Sequence, residues 1–262
     1  MRWRLLFRKF LRKHRRTLRH GGKQHMIRTL LGNTIFALAL LPAINQTADA
    51  GWYEVTNYTG TIGSYPIHLS LQKYDHFGGD TTLMGSYYYD KHMSPIPIYG
   101  KFNGSGQAEL CETHTKAGCE FKLEFHGNDA NGTWSSHGKK YAVTLKRVAS
   151  LDDTGDHQQA NGVVEIPFWG QTSQHMFVGT YESNQFGVSS IKVVNKRTGK
   201  VIQKLESELS DCGAGVTMTI IYENVKMSVN AHGKIEIACS GKFSQPLLYS
   251  FKRATGKFES AM

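Results

Sequence analysis

The chain has 262 residues, 40% of them hydrophobic, and a formal charge of +10. That charge is concentrated: residues 1–50 hold eleven of the 31 Lys/Arg and one of the 21 Asp/Glu, leaving 20 of each sign in 51–262. A body of balanced charge excludes the strongly basic surface by which nucleic-acid binders and anionic-membrane binders hold their partners.

Residues 29–42, TLLGNTIFALALLP, form an apolar run of signal-peptide length, short for a membrane span, with Arg28 just ahead. Ala48-Asp49-Ala50 has the small-x-small pattern of a cleavage site, so cut between Ala50 and Gly51 the mature form has no membrane span. Gly51 is not a cysteine, so no lipid anchor is expected there. The basic piece upstream, residues 1–25, has three readings: an extension ahead of a true start at Met26, a long basic n-region, or a basic amphipathic segment. All three place it outside the mature fold.

From residue 51 onward the punctuation is that of β-structure. In YPIHLSL (65–71), Ile67, Leu69 and Leu71 share a face. In CEFKLEF (119–125), Phe121, Leu123 and Phe125 alternate with Glu120, Lys122 and Glu124, the period of a half-buried antiparallel strand. On this reading Glu120 and Glu124 lie on a solvated face. YAVTLKRV (141–148) alternates similarly, and Gly/Asn/Asp clusters at 77–80, 103–106 and 127–132 supply turns. GNDANGTWSSHGKK (127–140) joins two strands, and Trp134 is expected to plug one end of a small barrel. No long capped helical pattern occurs after residue 50.

The polar segment 149–162, ASLDDTGDHQQANG, reads as a linker between an N-terminal β domain (51–148) and a C-terminal one (163–262). In the second unit, IKVVNKRTGKVIQKL (191–205) is a hairpin whose Gly199 is free to turn left-handed, and PLLYSFKRATGKFES (246–260) repeats the device. VTMTIIYENVKMSVNAHGKIEIAC (216–239) gives three more short strands. The fold class is therefore all-β, in two small antiparallel units.

The cysteines are Cys111, Cys119, Cys212 and Cys239. An exported chain meets an oxidising compartment, where an even count reads as disulfides. Of the three connectivities, Cys111–Cys119 with Cys212–Cys239 closes each loop within one half. Zinc is the rival reading, but no pair has CxxC spacing.

Two patterns carry a resemblance. GSYYYDK…PIPIYGKFNGSGQAELCE…FKLEFHGNDANGTWS…YAVTLKRV, over about 60–148, resembles a β domain of Gram-negative periplasmic proteins. IKVVNKRTGKVIQKL…PLLYSFKRATGKF, residues 191–258, is similar to the C-terminal part of a periplasmic family related to lysozyme inhibitors and immunity proteins. The resemblance implies a periplasmic location and a protein partner, such as a peptidoglycan hydrolase. That family has an Asp-rich calcium loop between its hairpins; this chain has YENVKMSVNAHGKIEIAC (222–239) there, so no calcium site is expected.

The sequence has no GxSxG, no HExxH and no Gly-rich phosphate loop before a helix. Asp152, Asp153 and Asp156 with His157 are its nearest approach to a metal cluster, and they read as a solvated linker. The expected protein is thus non-enzymatic, with no cofactor and no metal. In GSYYYDKHMSPIPIYG (85–100), Tyr87 and Tyr89 share a strand face, Tyr88 points the other way, and Pro95 and Pro97 mark a sheet border. Tyr87, Tyr89, His92 and Trp169 are the expected partner-binding residues, with loops 92–97 and 169–175 entering the partner's cleft. The alternative is a small-ligand or glycan module with Trp134 and the tyrosines at a barrel mouth. A deep apolar cavity would favour the ligand, a filled barrel the protein partner.

Overall fold

A computed structural model describes residues 53–74, 82–103, 105–113, 118–152, 159–181, 188–205, 225–230, 234–239 and 247–261. The described residues are all-β, without a helix, and so none that is long and apolar enough to cross a membrane. Eight strands follow one another as an antiparallel meander: β1 (Tyr53–Ile62), β2 (Tyr65–Tyr74), β3 (Thr82–Tyr89), β4 (Ile96–Phe102), β5 (Gln107–Cys111), β6 (Phe121–His126), β7 (Asp129–Ser136) and β8 (Lys139–Asp152). β8 pairs back onto β1, which closes the sheet into a barrel with no free edge.

The alternation read from the sequence sets the inside of this barrel. Ile67, Leu69 and Leu71 of β2 point inward with Phe121 and Leu123 of β6, and they meet Leu83, Tyr87, Ile98, Leu110, Val143 and Leu145 in one buried cluster. The barrel is filled through its middle. Closure at this small radius brings strand backbones close together on the inner face. At Gly60 and Gly132 a Cβ would run into the carbonyls of Thr144 and Lys122 on the neighbouring strand, so only glycine fits.

The segment expected as a connection at 127–140 is mostly strand β7. Gly127 (φ 61°) turns the chain into it, and His137 and Gly138 (φ 50° and 75°) turn it out. Two consecutive left-handed residues are the signature of a tight hairpin turn.

The expected linker, 149–162, is also strand at both ends. Ala149–Asp152 continue β8, and Gln159–Asn161 form β9, paired with that extension. The physical cause is a bulge. Arg147 faces Tyr58 and Ala149 faces Asn57, so Val148 has no partner. The extra residue reverses the inside-outside order. Leu145 faces the barrel interior, whereas Ala149 and Leu151 face outward into a second core.

That second core joins the halves. A four-stranded antiparallel sheet contains β10 (Val164–Pro167), β11 (His175–Tyr181), β12 (Ser190–Asn195) and β13 (Val201–Leu205); another contains β14 (Val225–Val229), β15 (Ile235–Cys239), β16 (Leu247–Lys252) and β17 (Lys257–Ser260). Val55, Tyr74, Ala149 and Leu151 from the barrel's outer wall pack with Ile166, Phe168, Phe177 and Ile191 of the first sheet and Ile235, Ile237 and Phe258 of the second. The two β units thus share a core. Both predicted C-terminal hairpins are present, β12–β13 with Gly199 at φ 67° and β16–β17 with Gly256 at φ 65°. Of the three strands expected over 216–239, β14 and β15 are described and 216–224 lie outside the described residues.

Candidate functional site

One end of the barrel is built from aromatic side chains at inward positions. The β1–β2 turn delivers Tyr65, opposite Ile62; β3 ends in Tyr89, opposite Ile67; Trp134 of β7 faces Tyr141 at the start of β8. Tyr65 meets Tyr89 and Tyr141 edge-on, with ring centroids 6.3 and 6.2 Å apart, and Trp134 lies against Tyr141 at 6.0 Å. Edge-to-face packing of this kind holds rings at fixed angles, with Tyr65 exposed and Tyr89, Trp134 and Tyr141 half-buried. The rings, with Lys91, His92 and Lys139, surround an open cleft of about 300 Å³.

Beneath the cleft a carboxylate fixes the rings. The Tyr87 hydroxyl donates to Glu112 Oε1 at 2.6 Å, and the Trp134 indole N–H donates to the same oxygen at 3.0 Å. Glu112 sits in the loop closed by the Cys111–Cys119 disulfide, which forms as expected. Glu120, at the end of that loop, accepts the Glu112 backbone N–H at 2.9 Å, and its own carbonyl accepts from Ser135 at 2.7 Å. Glu120 is therefore buried, 3% exposed, which corrects the solvated face expected for it. β6 begins only at Phe121, so the strand alternation does not reach it. Glu124 is exposed, beside His126 at 3.6 Å.

The four expected partner-binding residues separate. Tyr89 and His92 belong to the cleft. Tyr87 does not: it is 1% exposed, with its ring against Phe121 at 5.1 Å, so it is core. Burial, and then the hydrogen bond it donates to the negatively charged Glu112 carboxylate, push the Tyr87 phenol far above the ordinary tyrosine value. Burial also raises Tyr89. Tyr88 points outward, stacked on His68 at 5.0 Å and packed with Met176, Val178 and Val194. Trp169 lies on the barrel's outer wall, where its indole N–H donates to Gly85 O at 3.1 Å and its ring packs on Tyr99.

The two loops expected to act together do meet. Gln171 Nε2 donates to the Pro95 carbonyl at 3.1 Å, and Lys196 Nζ donates to Ser94 Oγ at 3.0 Å and to Gln171 Oε1. Pro97 pairs with Ser86, and β4 gains its second neighbour only from Tyr99 onward, so the prolines do mark a sheet border. Met93 has φ 47° in the turn above, where the His92 and Met93 amides both donate to the Tyr89 carbonyl. A non-glycine residue held there is the kind of backbone strain found at binding tips.

Tyr65, Tyr141, Lys91 and Lys139 line the cleft without having been singled out in the sequence. A usable signal existed: Tyr65 opens β2 and Tyr141 is the third residue of β8, both on the inward parity, and Trp134 lies two residues from the end of β7. The opposite mouth of the barrel holds a larger cavity, about 640 Å³, but its cations are already engaged: Lys73 pairs with Glu54 at 3.3 Å and Arg147 donates a hydrogen bond to Asn128 Oδ1. No group of three or more His, Cys, Asp or Glu with metal-binding geometry occurs among the described residues; Asp153, Asp156 and His157 of the polar cluster lie outside them. Cys212 and the side chain of Cys239 lie outside them too.

No family model, curated protein or solved structure matches the chain. The site is therefore judged by its own chemistry: partly exposed aromatic rings, phenol hydroxyls, two lysines and a histidine, above the hydrogen bonds that Tyr87 and Trp134 give Glu112.

Proposed function

We propose that this chain is an exported, periplasmic, non-enzymatic binding protein whose aromatic barrel mouth takes a glycan. The observation that carries the reading is the arrangement of Tyr65, Tyr89, Trp134 and Tyr141 around an open cleft. A sugar ring has an apolar face of C–H groups and a polar edge. Ring faces with hydroxyls and ammonium groups at their margins complement both. The filled barrel leaves no room for a ligand sealed inside, the outcome expected to favour a protein partner, so a glycan would lie across the mouth. The Cys111–Cys119 bond supports residence in an oxidising compartment.

The test is titration calorimetry of the full chain against N-acetylglucosamine oligomers, with Trp134 fluorescence as a second signal. Tyr65 is 53% exposed, so Tyr65→Ala leaves the core intact; it and Trp134→Ala are each expected to weaken binding roughly tenfold, a loss of about 1.4 kcal/mol. Absence of binding to any glycan overturns the reading.

A second reading has two observations behind it. The filled barrel and the locked contact of loop 92–97 with Gln171 and Lys196 favour a rigid tip that enters a hydrolase cleft, since a pre-ordered loop loses little freedom on binding. Loss of muramidase activity on adding the chain would establish it.

A further inference from the structure

Resting on the glycan reading, we infer that the cleft selects sugars that carry a carboxylate. Lys91 and Lys139 approach the cleft from different elements, the turn after β3 and the first residue of β8. Neither makes an ion pair or side-chain hydrogen bond among the described residues. No acid lines the cleft: Asp90, next to Lys91, is held by His68 Nε2 at 3.2 Å, and Glu112 lies beneath the floor, bonded to Tyr87 and Trp134. The His92 imidazole adds a ring N–H able to donate a hydrogen bond. A neutral sugar would cover the rings and leave both ammonium groups without a partner. A carboxylate at the sugar's edge would answer them with charge-assisted hydrogen bonds, the stronger kind.

The donor set favours a carboxylate over a phosphate. Phosphate sites typically add a helix N-terminus, a nest of backbone N–H groups or an arginine fork. None of these lines the cleft, whose cations are two separate point charges. Two kinds of sugar supply the chemistry, a lactyl ether on a hexosamine and a uronic acid.

The experiment compares N-acetylmuramic acid with N-acetylglucosamine, which lacks the 3-O-lactyl ether that carries the carboxylate, and glucuronic acid with glucose, by calorimetry on the full chain. The expected result is that at least one acid binds roughly tenfold tighter than its neutral parent. The preference should shrink as salt rises from about 0.05 to 0.5 M, and in Lys91→Gln and Lys139→Gln the acid and its parent should converge. Which acid gains identifies the source. Equal binding of acid and parent, or a preference that survives both substitutions, overturns the inference and leaves the glycan reading standing. Binding of no sugar overturns both. Both lysines lie at the rim, outside the buried clusters, so unchanged melting curves will show that the variants fold.

Discussion

The side chain of Asn57 pairs with the backbone of Glu165 as another strand would: Nδ2 donates to the Glu165 carbonyl at 2.7 Å, and the Glu165 N–H donates to Oδ1 at 2.6 Å. Asn57 is 8% exposed and points out of the barrel wall, so this amide is a fastener between the barrel and the β10–β13 sheet. Gln203 repeats the device on Phe258, with both bonds at 2.8 Å, and joins that sheet to the β14–β17 sheet. Asn57→Ala strands a buried N–H and a carbonyl together. It is expected to cost about 2–4 kcal/mol by urea unfolding and to speed hydrogen exchange at the Glu165 amide. Unchanged exchange there would mean that the sheet docks by apolar packing alone.

Glu112 is the second point of leverage. Glu112→Ala leaves the Tyr87 hydroxyl and the Trp134 N–H without their shared acceptor, an expected loss of roughly 2–3 kcal/mol, whereas Glu112→Gln keeps an acceptor oxygen and costs about half as much. The Cys111–Cys119 bond, spanning eight positions, holds this loop in place. Removing it by the double Cys→Ser change is expected to cost about 2–3 kcal/mol from chain entropy. It should also shift the Trp134 emission, because the carboxylate loses its tether; an unaltered spectrum would show that Glu112 keeps its place without the bond.

Most of the strands were legible in the sequence, because period-two alternation decides what a closed sheet buries: Ile67, Leu69, Leu71, Phe121 and Leu123 all point inward as their spacing requires. Gly199 and Gly256 marked their hairpins for the same local reason, a turn that needs positive φ. What was not legible is non-local. Closure of β1 on β8 depends on strand curvature, and the reversal at Val148 shows in sequence only as a loss of rhythm, which reads equally well as a linker. Half of the site was visible as Tyr89, His92 and Trp134. Tyr65 and Tyr141 join them only once the barrel closes. Tyr87 was drawn to the surface by a tyrosine run whose alternation cannot say which face is the core.

His175 ties stability to pH. It is buried between the rings of Phe251 and Phe258, at 5.1 and 5.2 Å, with Thr172 Oγ1 at 3.3 Å from Nδ1. Burial, and secondarily the Lys196 ammonium, hold its pKa below the ordinary histidine value. The folded state therefore binds fewer protons than the unfolded chain in the window between the two values. His175 leaves stability undiminished above about pH 6.5, and stability falls as pH drops from there toward the lowered folded value, levelling below it. The expectation is a midpoint that declines over this range in the parent chain and declines less in His175→Phe. Parallel curves would assign the acid sensitivity to other groups.

Gly132 sits two residues before Trp134, on the same inward face of β7, so a change there reaches the site through the barrel wall. A Cβ at this position would meet the Lys122 carbonyl head-on and lie 2.9 Å from the Leu123 Cα, both backbone atoms of β6 that cannot rotate away. Gly132→Ala is expected to push β6 and β7 apart at a cost of roughly 3 kcal/mol, and to weaken glycan binding as Trp134 moves. Gly138 provides the contrast. Its φ of 75° demands a left-handed residue, but a Cβ there meets nothing within 4 Å. Asparagine tolerates that conformation, so Gly138→Asn should cost under about 1 kcal/mol and leave binding intact. Thermal melts of the two variants side by side separate the two requirements that put glycine in this barrel, room against a neighbouring strand and freedom at a turn. Equal losses would mean that the wall at Gly132 yields more readily than its contacts imply.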